Sequence, residues 1–120
     1  RYAVIDLFEA RPGAQSRLSI KQAHRTLKPS QARVQLIPGE PTGALARTAN
    51  SMPDVDLVLI SSEHSESSLA EAWFYFPRML HEGSAVFRET TAAEGTTTLL
   101  AVDTDEIGKR AAARGRRRAA

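Results

Sequence analysis

The sequence predicts an α/β fold with a mostly parallel β-sheet and an antiparallel hairpin at the C-terminal end of the chain. Short apolar segments of strand length alternate with segments of helical periodicity, as in parallel sheets with right-handed crossovers. The strongest signal is residues 54–89, where an apolar strand, a polar turn, a helical pattern and a second strand follow one another directly. After Arg88, two β-rich segments are separated by a turn too short to hold a helix, which indicates the hairpin.

The N-terminal third predicts two strands and one helix. Residues 2–8 (YAVIDLF) form a short apolar run, as expected of a buried parallel strand. An Arg-Pro-Gly turn follows at residues 11–13. Residues 19–27 have helical spacing with Ser19 as the N-cap, and residues 33–37 form the next strand.

The middle third predicts a short helix over residues 42–50 and the strongest strand of the chain over Val55–Ile60. Ser65 then serves as the N-cap of a helix, and Pro77 is expected to kink or interrupt this helix near its C-terminal end. The apolar positions of this helix recur at spacings of three and four: Leu69, Ala72, Trp73 and Phe76.

The last third predicts a strand over residues 84–88, a turn, and a β-branched strand over residues 96–102. Asp103 or Thr104 is expected to cap a final helix. We expect this helix to end near Arg114, where an arginine-rich tail begins.

Composition bounds the class of protein. The 120 residues suffice for one domain, and an apolar fraction of 42% with a charged fraction of 25% is that of an ordinary soluble globular protein. The sequence has no apolar run of the ~18 residues that a membrane helix needs and no signal-peptide pattern. We therefore expect no membrane partner and a cytoplasmic location. The lack of cysteine excludes disulfides and thiolate chemistry.

The charge is unevenly distributed along the chain. Residues 109–118 hold six basic groups, whereas residues 1–108 hold ten basic and fourteen acidic groups, a net charge of −4. We therefore divide the chain into a domain over residues 1–108 and a basic helix end and tail over residues 109–120. Because the positive charge is confined to this tail, it does not predict a nucleic-acid partner.

A polar cluster, Ser-Ser-Glu-His, follows the strongest strand at residues 61–64. Ligands of parallel α/β sheets bind at the carboxyl ends of the strands, so this cluster is a candidate site. His64 could act as a general base, because imidazole can take up a proton near neutral pH. The alternative is that His64 anchors the turn by hydrogen bonds at the start of the helix.

The order of segments resembles that of class I S-adenosylmethionine-dependent methyltransferases. More narrowly, residues 56–66 (DLVLISSEHSE) are similar to the group whose fourth strand ends in a pattern like DLVFIDGDHSYE. A weaker likeness runs from Pro77 through Gly83 to Glu89, and together the likeness covers most of residues 2–102.

The resemblance implies a Rossmann-like three-layer sandwich with S-adenosylmethionine as the cofactor. It makes residues 2–8 the second strand of that fold, so we expect the chain to be N-terminally incomplete, without the first strand and its glycine-rich loop. It places residues 61–64 beside the methyl donor and a small-molecule oxygen or nitrogen acceptor, with His64 as the candidate catalytic residue. It assigns cofactor contacts to Asp6 or Glu9 at the ribose, Gly39 and Glu40 near the adenine, and Ser61 and Ser62 beside the methyl donor. The alternative for Asp6 is that it caps the loop after its strand.

The resemblance also bears on metal binding. Members of the family that use a divalent metal draw a ligand from the acidic pattern after the fourth strand. Ser61 replaces the first acid of that pattern, and a serine hydroxyl is a poor substitute for a carboxylate. Glu63 replaces the second acid with a side chain one methylene longer. We therefore expect no divalent metal.

Two functions stay open at this point. The first is an enzyme that moves a methyl group by in-line displacement, with the protein mainly aligning donor and acceptor. The second is a non-catalytic, degenerate Rossmann-like module that serves structure or protein contacts. Asp6 and the Glu63-His64 pair favour the enzyme, whereas Ser61 and the missing first strand favour the module.

Four consecutive aromatic residues, 73–76, cover most of the circumference of a helix. We expect Trp73 and Phe76 to lie in the core. Phe74 or Tyr75 should then face a missing segment or a second copy of the chain, so a homodimer is also open.

Overall fold

The computed structural model of the chain describes residues 1–12 and 18–119, with side chains described as far as residue 116. It divides into two compact units, an N-terminal unit of Arg1–Ala44 and a C-terminal unit of Leu45–Ala120. Both contain strands and helices, so the predicted α/β class is confirmed. The turn predicted at residues 11–13 includes Gly13, which lies outside the described residues.

The N-terminal unit is built on a parallel pair of strands. Strand β1 (Tyr2–Asp6) pairs with β2 (Val34–Pro38), and Asp6 lies opposite Pro38 at the end of the register. The carboxyl ends of both strands therefore meet at one edge. Strand β1 ends two residues earlier than predicted. Phe8 has a φ of 49°, which is incompatible with a strand, and it begins a 3-10 helix, Phe8–Ala10.

Helix α1 (Ile20–Leu27) begins at the predicted N-cap. The hydroxyl of Ser19 accepts a hydrogen bond from the N–H of Gln22, and the Gln22 side chain accepts one from the N–H of Ser19, both at 3.0 Å. This reciprocal capping box satisfies two N–H groups that the helix itself cannot pair. A 3-10 turn, Lys28–Ser30, follows the helix before β2.

We predict that Ser19→Ala lowers the free energy of unfolding by about 1 kcal/mol, because the N–H of Gln22 loses its acceptor at the start of α1. Lys21→Ala, an exposed change in the same helix, is the matched control. Urea unfolding followed by circular dichroism measures both. Equal stability of the two variants would contradict a stabilising role for the cap.

The C-terminal unit contains a three-stranded sheet in the order β3-β4-β5. Helix α2 (Pro41–Thr48), which spans the boundary between the units, and a 3-10 turn, Ala49–Ser51, precede it in the chain. Strands β3 (Val55–Ile60) and β4 (Leu80–Thr91) pair in parallel, whereas β5 (Thr97–Val102) is antiparallel to β4. The predicted hairpin is therefore confirmed.

The prediction of one mostly parallel sheet is not confirmed. The described strands lie in two sheets, and the sheet of the C-terminal unit is mixed. One face of that sheet is also more open than a parallel sheet usually is, because Leu57 and Leu59 of β3 and Leu99 of β5 are more than half exposed. Within the described residues, β3 forms an edge of this sheet.

Strand β4 starts earlier than predicted and contains a bulge. Its segment Leu80–Ala85 lies opposite the much shorter segment Val55–Leu57 of β3. The ring of His81 fixes the bulge: one nitrogen lies 2.6 Å from the Asp56 carboxylate, and the other accepts from the N–H of Gly83 at 3.0 Å. His81 therefore has a structural role in the sheet.

The helix predicted after Ser65 is two shorter elements. Helix α3 (Glu66–Leu69) is followed by a 3-10 helix, Ala72–Arg78, that contains Pro77. Because residues three apart lie on one face of a 3-10 helix, the rings of Trp73 and Phe76 meet edge to face, with their centroids 5.1 Å apart. Both are buried, as predicted.

Helix α4 (Thr104–Ala119) continues beyond Arg114, where we expected it to end. Arg114 forms an ion pair with Glu71, and Gly115 lies against the ring of Phe74. The helix thus packs on the 3-10 helix of residues 72–78 instead of ending at the arginine-rich segment. Within the described part of the chain, no helix combines the length and apolar character that crossing a bilayer requires.

Candidate functional site

The carboxyl edge of β1 and β2 brings two of the predicted cofactor residues together. The N–H of Gly39 donates to the carbonyl of Asp6 at 2.9 Å. The carboxylate of Asp6 accepts from the N–H of Phe8 at 3.0 Å and forms an ion pair with Arg11. Its side chain is 22% exposed, so the carboxylate is partly accessible while it caps the loop after β1.

Unusual backbone geometry marks the same edge. Gly39 has a φ of 138°, which a glycine adopts without strain. Phe8, which is fully buried, has a φ of 49° in the left-handed region. A bulky residue held in that region costs free energy, and such residues cluster at functional sites. The strain therefore makes this edge the first place to test for a ligand in the N-terminal unit.

Glu9 and Glu40, the other predicted cofactor residues of this unit, lie at helix starts. The carboxylate of Glu9 accepts from the N–H of Ile20 at 2.7 Å, at the first residue of α1. The helix dipole also stabilises a negative charge at this N-terminal position. The carbonyl of Glu40 accepts from the N–H of Ala44, which makes Glu40 the N-cap of α2, and its side chain is exposed. Glu9 therefore has a structural partner, whereas Glu40 is open to solvent.

In the C-terminal unit, the predicted polar cluster forms a tight turn at the carboxyl end of β3. The N–H of His64 donates to the carbonyl of Ser61 at 3.2 Å, and the Ser61 hydroxyl accepts from the N–H of Glu63 at 3.3 Å. The hydroxyl of Ser65 accepts from the N–H of Ser68 at 3.2 Å, so Ser65 is the N-cap of α3, as predicted.

Glu89 on β4 holds the first part of this turn. Its Oε1 accepts from both the N–H and the hydroxyl of Ser62, at 3.2 and 2.9 Å. The hydroxyl of Thr91 lies 3.3 Å from the same Ser62 oxygen. The Ser62 side chain is therefore part of a hydrogen-bonded network and lies at the sheet edge, where the resemblance puts the methyl donor.

Arg88 holds the second part of the turn. Its guanidinium donates to the carbonyl of His64 at 3.0 Å and forms an ion pair with Glu66 in α3. The imidazole ring of His64 is only half-buried and has no hydrogen-bond partner among the described residues. His64 therefore takes part in the turn through its backbone, which leaves its ring nitrogens available to a ligand.

Sequence reasoning missed Arg88, Glu66 and the role of Glu89. The register of the paired strands explains the positions of Arg88 and Glu89. Ile60, the last residue of β3, lies opposite Arg88, and β4 continues for three more residues alongside the turn. Polar residues that extend a strand past its parallel neighbour must lie beside the loop that leaves that neighbour.

A cavity of about 230 Å³ lies beside α3 and α4. Glu66, Ala70, Glu71, Trp73, Arg110, Ala113 and Arg114 line it. Arg110 pairs with Glu66 at 3.3 Å and Arg114 pairs with Glu71, so the charges at its wall are mutually neutralised. The buried indole N–H of Trp73 has no acceptor in the described part of the chain.

No group of three or more His, Cys, Asp or Glu side chains among the described residues is arranged to hold a metal ion. The described site is thus a set of hydroxyls, one open imidazole and paired charges.

Comparison with known proteins gives no match: no family model fits the chain, and no curated protein or solved structure is significantly similar to it. The resemblance to methyltransferases therefore stays a prediction that rests on the motif of residues 56–66.

Proposed function

We propose that this chain is part of an S-adenosylmethionine-dependent methyltransferase that acts on an oxygen or nitrogen of a small-molecule acceptor. The Rossmann-like three-layer arrangement of that family belongs to the same proposal. The observation that carries it is the parallel pairing of β1 with β2, because this pairing brings Asp6 and Gly39 to one edge. The resemblance assigns ribose and adenine contacts to these two positions.

The acceptor atoms at this edge support the binding of a nucleoside. A carboxylate has about four acceptor positions, and the described partners of Asp6, the Phe8 N–H and Arg11, occupy only part of them. Acceptor capacity is therefore left for ribose hydroxyls. Gly39 has no side chain, which permits close approach of a flat base, and the adjacent Glu40 is exposed.

The chemistry would depend on the turn after β3. S-adenosylmethionine supplies an electrophilic methyl group when bound. His64 would accept the proton from the hydroxyl or amine of the acceptor, and its half-buried ring without a described partner supports this role. The hydroxyls of Ser61 and Ser62 would border the reacting groups. Because proton transfer to imidazole requires no metal, we propose that the methyl transfer is independent of a metal.

A non-catalytic module is the second candidate, and one observation favours it. Both carboxylates that the resemblance assigns to the ribose have structural partners: Asp6 pairs with Arg11, and Glu9 accepts from the N–H of Ile20. A degenerate relative would keep such contacts for folding after losing its ligand.

Calorimetry with S-adenosylmethionine on the complete gene product separates the candidates. We predict that Asp6→Asn weakens donor binding about tenfold or more, because hydrogen bonds to a charged group are lost while the acceptor for the Phe8 N–H is retained. Asp105→Asn, an exposed change in α4, is the matched control.

The wild-type titration decides between the two functions. Donor binding that the control variant retains and Asp6→Asn loses supports the methyltransferase. A folded wild-type protein that binds no donor, with or without Mg²⁺, contradicts the methyltransferase and supports the module. Donor binding that appears only with Mg²⁺ would contradict the expected metal independence.

A further inference from the structure

The turn that carries His64 lies against the overhanging end of β4. Strand β3 ends at Ile60, opposite Arg88, whereas β4 continues to Thr91. Arg88 is the last residue that pairs with β3, and residues 89–91 run beside the turn with no partner strand on that side in the described part of the chain. Their side chains are therefore free to contact the turn.

Successive side chains of a strand point to opposite faces of the sheet. Arg88 and Glu89 are adjacent in β4, so they reach the turn from opposite sides. Glu89 contacts its first half, through the N–H and hydroxyl of Ser62. Arg88 contacts its second half, through the carbonyl of His64.

Both contacts are charge-assisted, and such hydrogen bonds are stronger than neutral ones. The Arg88 side chain is only 21% exposed, and its second contact, the ion pair with Glu66, lies in the first turn of α3. Arg88 therefore links the turn to the helix that follows it. Glu89 accepts two hydrogen bonds from a single residue, which fixes both the backbone and the side chain of Ser62.

We propose that Arg88 and Glu89 are positioning residues that hold the His64 ring in place from the two faces of the sheet. The inference rests on the proposed function, because it assumes that His64 accepts a proton. The ring has no described side-chain partner of its own, so its position depends on the backbone of the turn. A displacement of about 1 Å at a catalytic group can lower the rate by as much as about a hundredfold.

The test compares Arg88→Met with Arg110→Met. Arg110 pairs with the same Glu66, at 3.3 Å, but has no contact with His64. For Arg88→Met we expect kcat for methyl transfer to fall about tenfold or more, with the donor Kd unchanged. Native-state hydrogen exchange at the amide of His64 should accelerate by about tenfold or more in the same variant. Arg110→Met should leave both quantities near the wild-type values.

Glu89→Gln tests the other side of the turn against Glu82→Gln, an exposed change in the same strand. We expect faster exchange at the amide of Ser62 and a lower kcat only for Glu89→Gln. If Arg88→Met does not fold, Arg88→Lys serves instead. Lysine keeps the positive charge but lacks the planar guanidinium that contacts His64 and Glu66 together. The kcat and the exchange rate of Arg88→Lys should therefore lie between those of the wild type and those expected for Arg88→Met.

The proposal requires faster exchange and lower kcat together in an active protein. Either change without the other, or wild-type behaviour of both Arg88→Met and Glu89→Gln, overturns it. If the wild-type protein transfers no methyl group, the proposed function fails. Hydrogen exchange at the amides of Ser62 and His64 in the same variants then still decides whether Arg88 and Glu89 order the turn.

Discussion

His64→Ala is expected to lower kcat for methyl transfer by about 10²–10⁴-fold, the range typical for removal of a general base. The ring has no hydrogen-bond partner among the described residues, and the turn is held by backbone contacts of His64 with Ser61 and Arg88. Alanine keeps these backbone contacts. The loss should therefore be in proton transfer, with little change in folding or in donor Kd.

Steady-state kinetics with the complete gene product, combined with donor calorimetry, measures this effect. His24→Ala is the matched control, because His24 is an exposed histidine of α1. A folded His64→Ala protein with undiminished methyl transfer would eliminate the general-base role. A variant with lower stability and weaker donor binding would favour the alternative, in which His64 anchors the turn.

The largest expected effect on stability is that of Trp73→Ala, with a loss of about 3–5 kcal/mol in the free energy of unfolding. Trp73 is 2% exposed. Its ring meets Phe76 edge to face, and the guanidinium carbon of Arg110 lies 5.4 Å from the ring centre. Removal of the indole leaves a void where α4 packs on the 3-10 helix of residues 72–78.

Trp73→Phe is the informative comparison for this change. Phenylalanine keeps most of the buried ring and removes an indole N–H that has no acceptor in the described part of the chain. Because an unsatisfied buried donor costs about 1–3 kcal/mol, we expect Trp73→Phe to be much closer to wild type than Trp73→Ala. Unfolding must be followed by circular dichroism, since Trp73 is the single tryptophan in the sequence. Equal losses in both variants would contradict a packing role.

Features that depend on neighbouring residues in the chain could be predicted from the sequence. Ser19 and Ser65 were identified as N-caps because a capping hydroxyl pairs with an N–H only three residues away. The hairpin of β4 and β5 follows from a short turn between two β-rich segments. The pairing of Trp73 with Phe76 follows from their spacing of three.

Features that depend on distant partners could not be predicted in the same way. Helix α4 continues past its predicted end while it packs on the 3-10 helix of residues 72–78, and Arg114 pairs there with Glu71, which is far away in the chain. The bulge of β4 depends on the contact of His81 with Asp56. The resemblance implies a ribose contact for Glu9 as the alternative to Asp6, and nothing in the local sequence of Glu9 indicates that its carboxylate accepts from the first N–H of α1.

The candidate site also combines a feature that the sequence predicts with one that depends on distant partners. The position of His64 at the carboxyl end of β3 follows from strand order alone. Its contact with Arg88 depends on the register of β3 against β4, and a shift by one residue would turn Arg88 to the other face. Register is a property of the paired strands, so one strand pattern read by itself does not contain it.

The exposed leucines and the edge position of β3 are features that favour self-association of β-sheets. Val55–Ile60 is an apolar six-residue strand at an edge that no other described strand covers, and exposed segments of this kind can template intermolecular cross-β stacking. Its single charge is Asp56, a gatekeeper residue against fibril growth. The same carboxylate fixes the bulge through His81. Mutating Asp56 would therefore weaken the pairing of β3 with β4 and also remove the charge that opposes aggregation.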